Sequence, residues 1–234
     1  MTLNADPESA IRPEDYARWR NSRLGSLTES IEQRVIFEFC GNLPGLRVLD
    51  LGCGDGTYSI RASEDGAFVT GVDISSSMLR AAHARSVLRE QKVKWVQSSV
   101  SALPFASNTF DVVIIVTVLC FAIDPDNAIR EATRALRPGG SLIIGELGKF
   151  SCWAVSRRIR AMFGSKMWRT ARFRSVQDLR RLVEGVGLRL VASQPCVYYP
   201  PSAFLAEFLS PFDSFLPRFG QFGAAFIAAK AMKQ

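Results

Sequence analysis

Six short apolar runs are separated by stretches of helical character: "RVLDL" (47–51), "AFVTGVD" (67–73), "KVKWVQ" (92–97), "FDVVIIVTV" (110–118), "SLIIGEL" (141–147) and "GLRLVASQPCVYY" (187–199). Strands this apolar must be covered on both faces, and a parallel sheet with helices on each side does that. Helices are expected over 13–40, 56–64, 75–90, 126–136, 151–163 and 175–186, with Ser75 positioned to cap the third. An aromatic-rich helical stretch (202–219) then leads into a last strand, "GAAFIAAKAM" (223–232). The pattern predicts an α/β fold: a doubly wound, seven-stranded, mostly parallel sheet. A helical cap precedes it and helical insertions lie near its C-terminus. We read residues 1–234 as one domain, with a cap (1–46), a core (47–147) and a lid carrying the last two strands (148–234).

A chain of 234 residues, 47% of them hydrophobic, supplies one large core. The first residues carry acids where a secretory leader would be basic, and the longest apolar run, "FDVVIIVTVLCFAI", is too short to span a bilayer. Five cysteines, an odd number with no C-x-x-C pair, point to a reduced, cytoplasmic protein with no metal site. The single histidine, His83, is expected on a solvated helix face. The net charge of +7 is local: residues 149–181 hold ten Lys/Arg against one acid, Asp178, and the remainder is slightly acidic.

The run "RVLDLGCGDGTYSI" reads as a strand, a glycine turn and a helix, the arrangement on which nucleotide cofactors sit. Its glycines, Gly52, Gly54 and Gly56, form G-x-G-x-G, with Thr57 where the dinucleotide fingerprint has its third glycine. Asp50 and Asp55 flank them and would repel a pyrophosphate, whereas S-adenosylmethionine carries a sulfonium and an ammonium and no phosphate. Asp73, ending the second strand, can accept bonds from ribose hydroxyls in either cofactor class; alternatively it caps the helix beginning at Ser75.

The segments "VLDLGCGDG", "VTGVDISSSML", "ALPFASNTFDVVII" and "LCFAIDPDNAIREATRALRPGGSLII", in this order, resemble the class I S-adenosylmethionine-dependent methyltransferases. The likeness is to the group that includes ubiquinone/menaquinone-biosynthesis and small-molecule enzymes, and it implies a Rossmann-like methyltransferase fold with S-adenosyl-L-methionine as cofactor. It places Asp50, Gly52, Cys53 and Gly54 around the methionine moiety, and Asp73 and Ile74 at the ribose and adenine. Ser99 and Val100 then line the adenine edge, and Thr117 to Leu119 face the methyl group. Many relatives have an acid at the position of Ser99, so the neutral hydroxyl here implies weaker adenine recognition.

The resemblance also exposes a gap. Many relatives carry histidines where Cys120 and Phe121 stand, so the commonest base is absent. Glu146, ending the fifth strand, is a candidate base or acceptor anchor, with a salt bridge as its structural alternative. Tyr16 and Trp19 are candidates to close over the methyl group, and Cys120 is a thiol that could enter the pocket or pack as a small hydrophobe. Residues 149–181 interleave arginines with Trp153, Phe163, Trp168 and Phe173, suiting a solvated lid, a surface for anionic lipid headgroups or an acidic substrate or, less well, RNA. Phe204, Phe208, Phe212, Phe215, Phe219 and Phe222 recur three or four apart, a pattern expected first of core packing. These features together predict methyl transfer to a small, largely apolar acceptor such as a quinone precursor, phenol, lipid or secondary metabolite. They allow peripheral contact with the inner face of an anionic membrane through 149–181, and nucleic acid is not an expected partner. The alternatives are a non-catalytic cofactor-binding or membrane-associated protein, and an RNA methyltransferase.

Overall fold

The computed structural model describes residues 12–234; the part of the expected cap at residues 1–11 lies outside them. Two helices open the chain, α1 (Pro13–Arg20) and α2 (Arg23–Cys40). The single helix expected over 13–40 is broken because Ser22 leaves helical geometry and its hydroxyl accepts the Gly25 N–H at 3.0 Å, starting a second helix there. The alternation then follows: β1 (Arg47–Leu51), α3 (Thr57–Glu64), β2 (Phe68–Asp73), α4 (Ser76–Leu88), β3 (Val93–Gln97), β4 (Phe110–Val116), α5 (Pro125–Ala135) and β5 (Leu136–Leu147). Ser75 caps α4, accepting from the Met78 N–H, and His83 is exposed on that helix. After β5 come α6 (Cys152–Met162), a short α7 (Lys166–Thr170) not foreseen in the sequence, α8 (Val176–Glu184), β6 (Leu188–Cys196), α9 (Ala203–Leu209) and β7 (Phe226–Lys233).

All seven strands form one sheet in the order β3-β2-β1-β4-β5-β7-β6. The first five are parallel, and β7 runs antiparallel between β5 and β6, with Gly145 opposite Ala228 and Cys196 opposite Phe226. The order reverses between β1 and β4, so the loops after these strands part there and leave a crevice at their carboxyl ends.

The period of two in the strands builds a core on each face. On one face Val48, Ile114, Ile143 and Phe226 meet Ile31, Val35 and Ile36 of α2. On the other, Leu49, Val113, Ile115 and Ile144 meet Ile129 of α5 and Leu179 and Val183 of α8. β4 is buried at every position, which is why it reads as an uninterrupted apolar run.

The aromatic tail departs from expectation. The helix ends at Leu209, and two 3-10 turns follow, each with a proline, Pro211 and Pro217, in its first turn. The six phenylalanines do not pack into the core. All are exposed, from 46% at Phe215 to 77% at Phe204. No element among the described residues covers this strip.

Phe226 is buried completely, and a Cβ built on Gly145 would come within 2.3 Å of its ring. Phe226→Ala should therefore cost about 3–5 kcal/mol, read as a lowered urea midpoint with an unchanged slope.

Candidate active site

The crevice is built around the 52–56 turn. Two N–H groups, those of Gly52 (2.7 Å) and Cys53 (2.9 Å), donate to the carbonyl of Val72 and pin the turn to β2. Gly52 has a φ of +68°, and a Cβ there would lie 2.3 Å from Val118 Cγ2, so neither backbone nor space admits a side chain. Gly54, with φ +53°, has nothing within 4 Å of the Cβ position. The turn is closed below and open above, as a ligand approaching the backbone requires.

Asp73 stands beside that opening. One carboxylate oxygen accepts the Gly54 N–H at 2.9 Å and the other the Ser75 N–H at 2.8 Å. The carboxylate thus braces the residue that caps α4, and each of its oxygens keeps a lone pair that these bonds do not use. Burial raises its pKa, against the backbone N–H bonds. The Ser98 N–H donates to the Asp73 carbonyl, which brings half-buried Ser99 and Val100 alongside. The Ser99 hydroxyl accepts the Ser101 N–H at 3.2 Å, and Ile74 is 40% exposed nearby. Thr117, just past β4, holds a φ of +53°, rare for a β-branched residue and a mark of strain kept at a site.

Other sequence candidates are placed differently. The Asp50 carboxylate is buried and accepts the Ser59 hydroxyl at 2.6 Å, which ties the end of β1 to α3. The Leu119 side chain is fully buried in the core; Val118, one residue earlier, packs on the turn instead. Cys53 and Cys120 are buried, and burial raises both thiols above their ordinary pKa. Glu146 is also fully buried. Its carboxylate pairs with Arg174 Nη1 at 2.9 Å and accepts the Leu119 N–H at 3.1 Å, while Arg174 Nη2 donates to the Leu119 carbonyl. Burial pushes Glu146 up to about 7 and Arg174 opposes it. A carboxylate tied to two segments in this way has the salt-bridge role and is not a free base.

The charge argument about the turn also changes. Asp55 is buried between two guanidinium groups, Arg20 of α1 and Arg85 of α4, the latter at 2.7 Å. Its negative charge is therefore spent inside the protein, and it would not repel a phosphate. Discrimination against a pyrophosphate rests on Asp73 and the missing third glycine.

Above the turn, α1 and α2 bring Tyr16 toward Glu29, with Oη 3.4 Å from Oε1, and set Tyr16 and Trp19 rings 5.8 Å apart. Burial raises the pKa of Tyr16, and Glu29 and Asp55 add to it. Arg20, Glu29, Glu32 and Arg85 take part in this network, and Arg174 in the pair with Glu146; none of the five is marked by the sequence. Their spacing carries no motif, and only folding makes them neighbours.

Residues 49–144 match the family model of a methyltransferase domain. An uncharacterised protein of Mycobacterium tuberculosis is 33% identical over 164 residues, which is 70% of this chain and 54% of that protein. A ubiquinone/menaquinone biosynthesis C-methyltransferase of Shewanella sediminis is 40% identical over 124 residues, 50% of this chain and 49% of the enzyme. This chain thus spans about half the length of the curated relatives it matches. Among solved structures, a methyltransferase of Thermotoga maritima described as a possible histamine N-methyltransferase aligns with a TM-score of 0.72 at 22% identity, covering 94% of this chain and 95% of that one. Magnesium protoporphyrin IX methyltransferase of Synechocystis, with bound S-adenosylhomocysteine, aligns with a TM-score of 0.68 at 19% identity, covering 94% and 93%. Both show the same fold.

Asp50 yields a pH test. Burial raises its pKa from 3.8 to about 7 in the folded chain, with the Ser59 bond opposing. The folded state then holds this proton more tightly than the unfolded one, so stability present at low pH is lost as pH rises toward 7. For one group the slope is at most about 1.4 kcal/mol per pH unit. Asp50→Asn, which can still accept from Ser59, should flatten the decline between these limits in urea titrations. An identical slope in the variant would place the titration elsewhere.

Proposed function

We propose, for a chain whose residues 49–144 are a methyltransferase domain on the class I fold, that it transfers the methyl group of S-adenosylmethionine to a small, largely apolar acceptor taken up at an anionic membrane surface. S-adenosylmethionine supplies a methyl group already activated on a sulfonium, so the chain's part is to bind, orient and exclude water. The open turn at Gly54 fits the methionine end of such a donor, and Asp73 would accept ribose hydroxyls on the lone pairs that Gly54 and Ser75 leave free. Ile74, Ser99 and Val100 would flank the adenine, and Thr117 would face the methyl group. Residues of α1, α2 and 150–220 would form the acceptor pocket, with Tyr16 and Trp19 closing it.

The observation that carries the acceptor's character is the uncovered phenylalanine strip. Phe222, at its end, meets Phe150 of the basic segment 149–181 with ring centroids 5.0 Å apart, and Ile159 and Met162 of α6 and Phe163 after it are exposed as well. Exposed apolar residues in this number, together with a basic segment, suit an anionic lipid surface and the greasy solutes dissolved in it. No helix among the described residues is long and apolar enough to cross a membrane, so this contact would be peripheral.

Two measurements test the reading. In calorimetric titration with S-adenosylhomocysteine, Asp73→Ala should weaken binding about tenfold or more, the loss of hydrogen bonds to a charged group; unchanged affinity would remove Asp73 from the site. In sedimentation with phosphatidylglycerol vesicles, Phe204→Ser with Phe208→Ser should cut partitioning about tenfold or more, since each buried phenylalanine contributes roughly 1.5–3 kcal/mol. Equal binding by the double variant, or none by the wild type, would refute the membrane contact. Labelled methyl groups from S-adenosylmethionine should enter the organic fraction of a lysate; labelling of RNA would favour that acceptor instead.

A further inference from the structure

Near the loop after β4, the guanidinium of Arg157 has no hydrogen-bond or ion-pair partner among the described residues. The guanidinium of Arg157, on α6, lies over the ring of Trp153 (5.0 Å to the centroid) and over that of Trp168 (4.8 Å). Trp153 is itself fixed: it is buried, and its indole N–H donates to the Tyr199 carbonyl at 2.8 Å. Trp168 rests against Phe121, just beyond β4, with ring centroids 5.9 Å apart. The two tryptophans therefore hold Arg157 over the carboxyl end of β4, where Thr117 and Val118 border the turn. Its charge reaches both Cys120 in that loop and Glu32 on α2.

The guanidinium of Arg157 carries five N–H donors in a fixed fork. No described residue forms a hydrogen bond or an ion pair with them. Glu32 is the nearest natural counter-ion, yet burial pushes its pKa up to about 8, against the Arg157 charge and with help from Glu29. No hydrogen bond or ion pair joins the two side chains, so Glu32 does not occupy the donors of the guanidinium. Arg160 adds a second positive charge nearby. A half-buried, pre-oriented guanidinium with unused donors is a receptor for an ionised oxygen.

We propose that Arg157 recognises the acceptor, donating to a carboxylate or phenolate oxygen, so that the acceptor is an organic acid with an apolar body. This rests on the methyl-transfer reading above and refines its acceptor. The exposed apolar surface would admit the body of such a molecule, and the Trp-clamped guanidinium would orient its charged end at the end of β4. The basic segment would raise the local concentration of anions.

The test is calorimetry at neutral pH on the full chain saturated with S-adenosylhomocysteine. The probes are benzoate, pentafluorophenolate, neutral benzamide and cationic benzylammonium. At least one anion should bind about tenfold more tightly than benzamide. Preference for benzoate would identify a carboxylic acid, and preference for pentafluorophenolate a phenol. Arg157→Gln should abolish the preference, and Arg157→Lys should narrow it because a point charge keeps attraction but loses the fork. Equal binding of all probes, no binding of either anion, preference for benzylammonium, or a preference surviving Arg157→Gln would each overturn the proposal. Should Arg157→Gln fail to fold, the wild-type preference and its narrowing in Arg157→Lys decide the matter. Failure of the wild type to bind S-adenosylhomocysteine would instead sink the methyl-transfer reading, while binding it without an anion preference would sink this inference alone.

Discussion

The buried ion pair of Glu146 and Arg174 is the joint on which the two halves of this molecule meet. Glu146 ends β5 and Arg174 closes the basic segment, and between them they take the N–H and the carbonyl of Leu119 in the loop after β4. Three segments are thereby tied at one point: the sheet, the loop after β4, and the lid. The backbone adds to the joint, with Arg174 N–H donating to Leu147 and Arg172 N–H to Cys120. Charges taken out of water this completely are tolerable only because each is met by the other and by main-chain groups. Such a pair contributes less to net stability than to geometry, because any alternative packing of the lid would strand a charge. The position of Arg157 over the end of β4 depends on this anchoring.

A second set of charges governs the other wall. Arg20 reaches from α1, and Arg85 from α4, to the buried Asp55 at the root of α3. The cap is thus fastened to the cofactor turn by electrostatics as well as by packing of α2 on the sheet. This also shows the limit of reading a turn's polarity from its letters. Asp55 looks like an anion facing a ligand, and in the folded chain it is an internal counter-ion. Asp73 alone keeps a carboxylate with free lone pairs at the open side of the turn.

The surface carries the least ordinary feature. Soluble folds scatter their exposed apolar residues, whereas here six phenylalanines within nineteen residues of chain stand uncovered, and Ile159 and Met162 of α6 are exposed too. Their helical spacing is what a buried face would have, so periodicity alone suggested the core. The prolines at 211 and 217 break the segment into one short helix and two tight turns, and among the described residues no element covers its phenylalanine side chains. Set beside a clamped guanidinium, this apolar ground suits an amphiphilic acid better than a wholly apolar molecule.

Much of the architecture was legible in the chain itself. The alternation of apolar runs and helices specified the doubly wound sheet, and the glycine turn, Asp73 and the Ser75 cap were found where the letters put them. These features follow from short-range rules: side-chain periodicity, the φ values glycine permits, and bonds between groups a few residues apart. The partners of the charged groups obey no such rule. Asp55 meets Arg20 across 35 residues, and Glu146 meets Arg174 across 28. Whether an apolar helix face is buried likewise depends on what arrives to cover it. The sequence by itself therefore determined the strands, the turn and the kind of ligand the turn admits. Only the tertiary structure decided which carboxylates are counter-ions, which aromatic strip stays in solvent and which guanidinium is left to bind, because long-range pairing and burial are properties of the assembled chain.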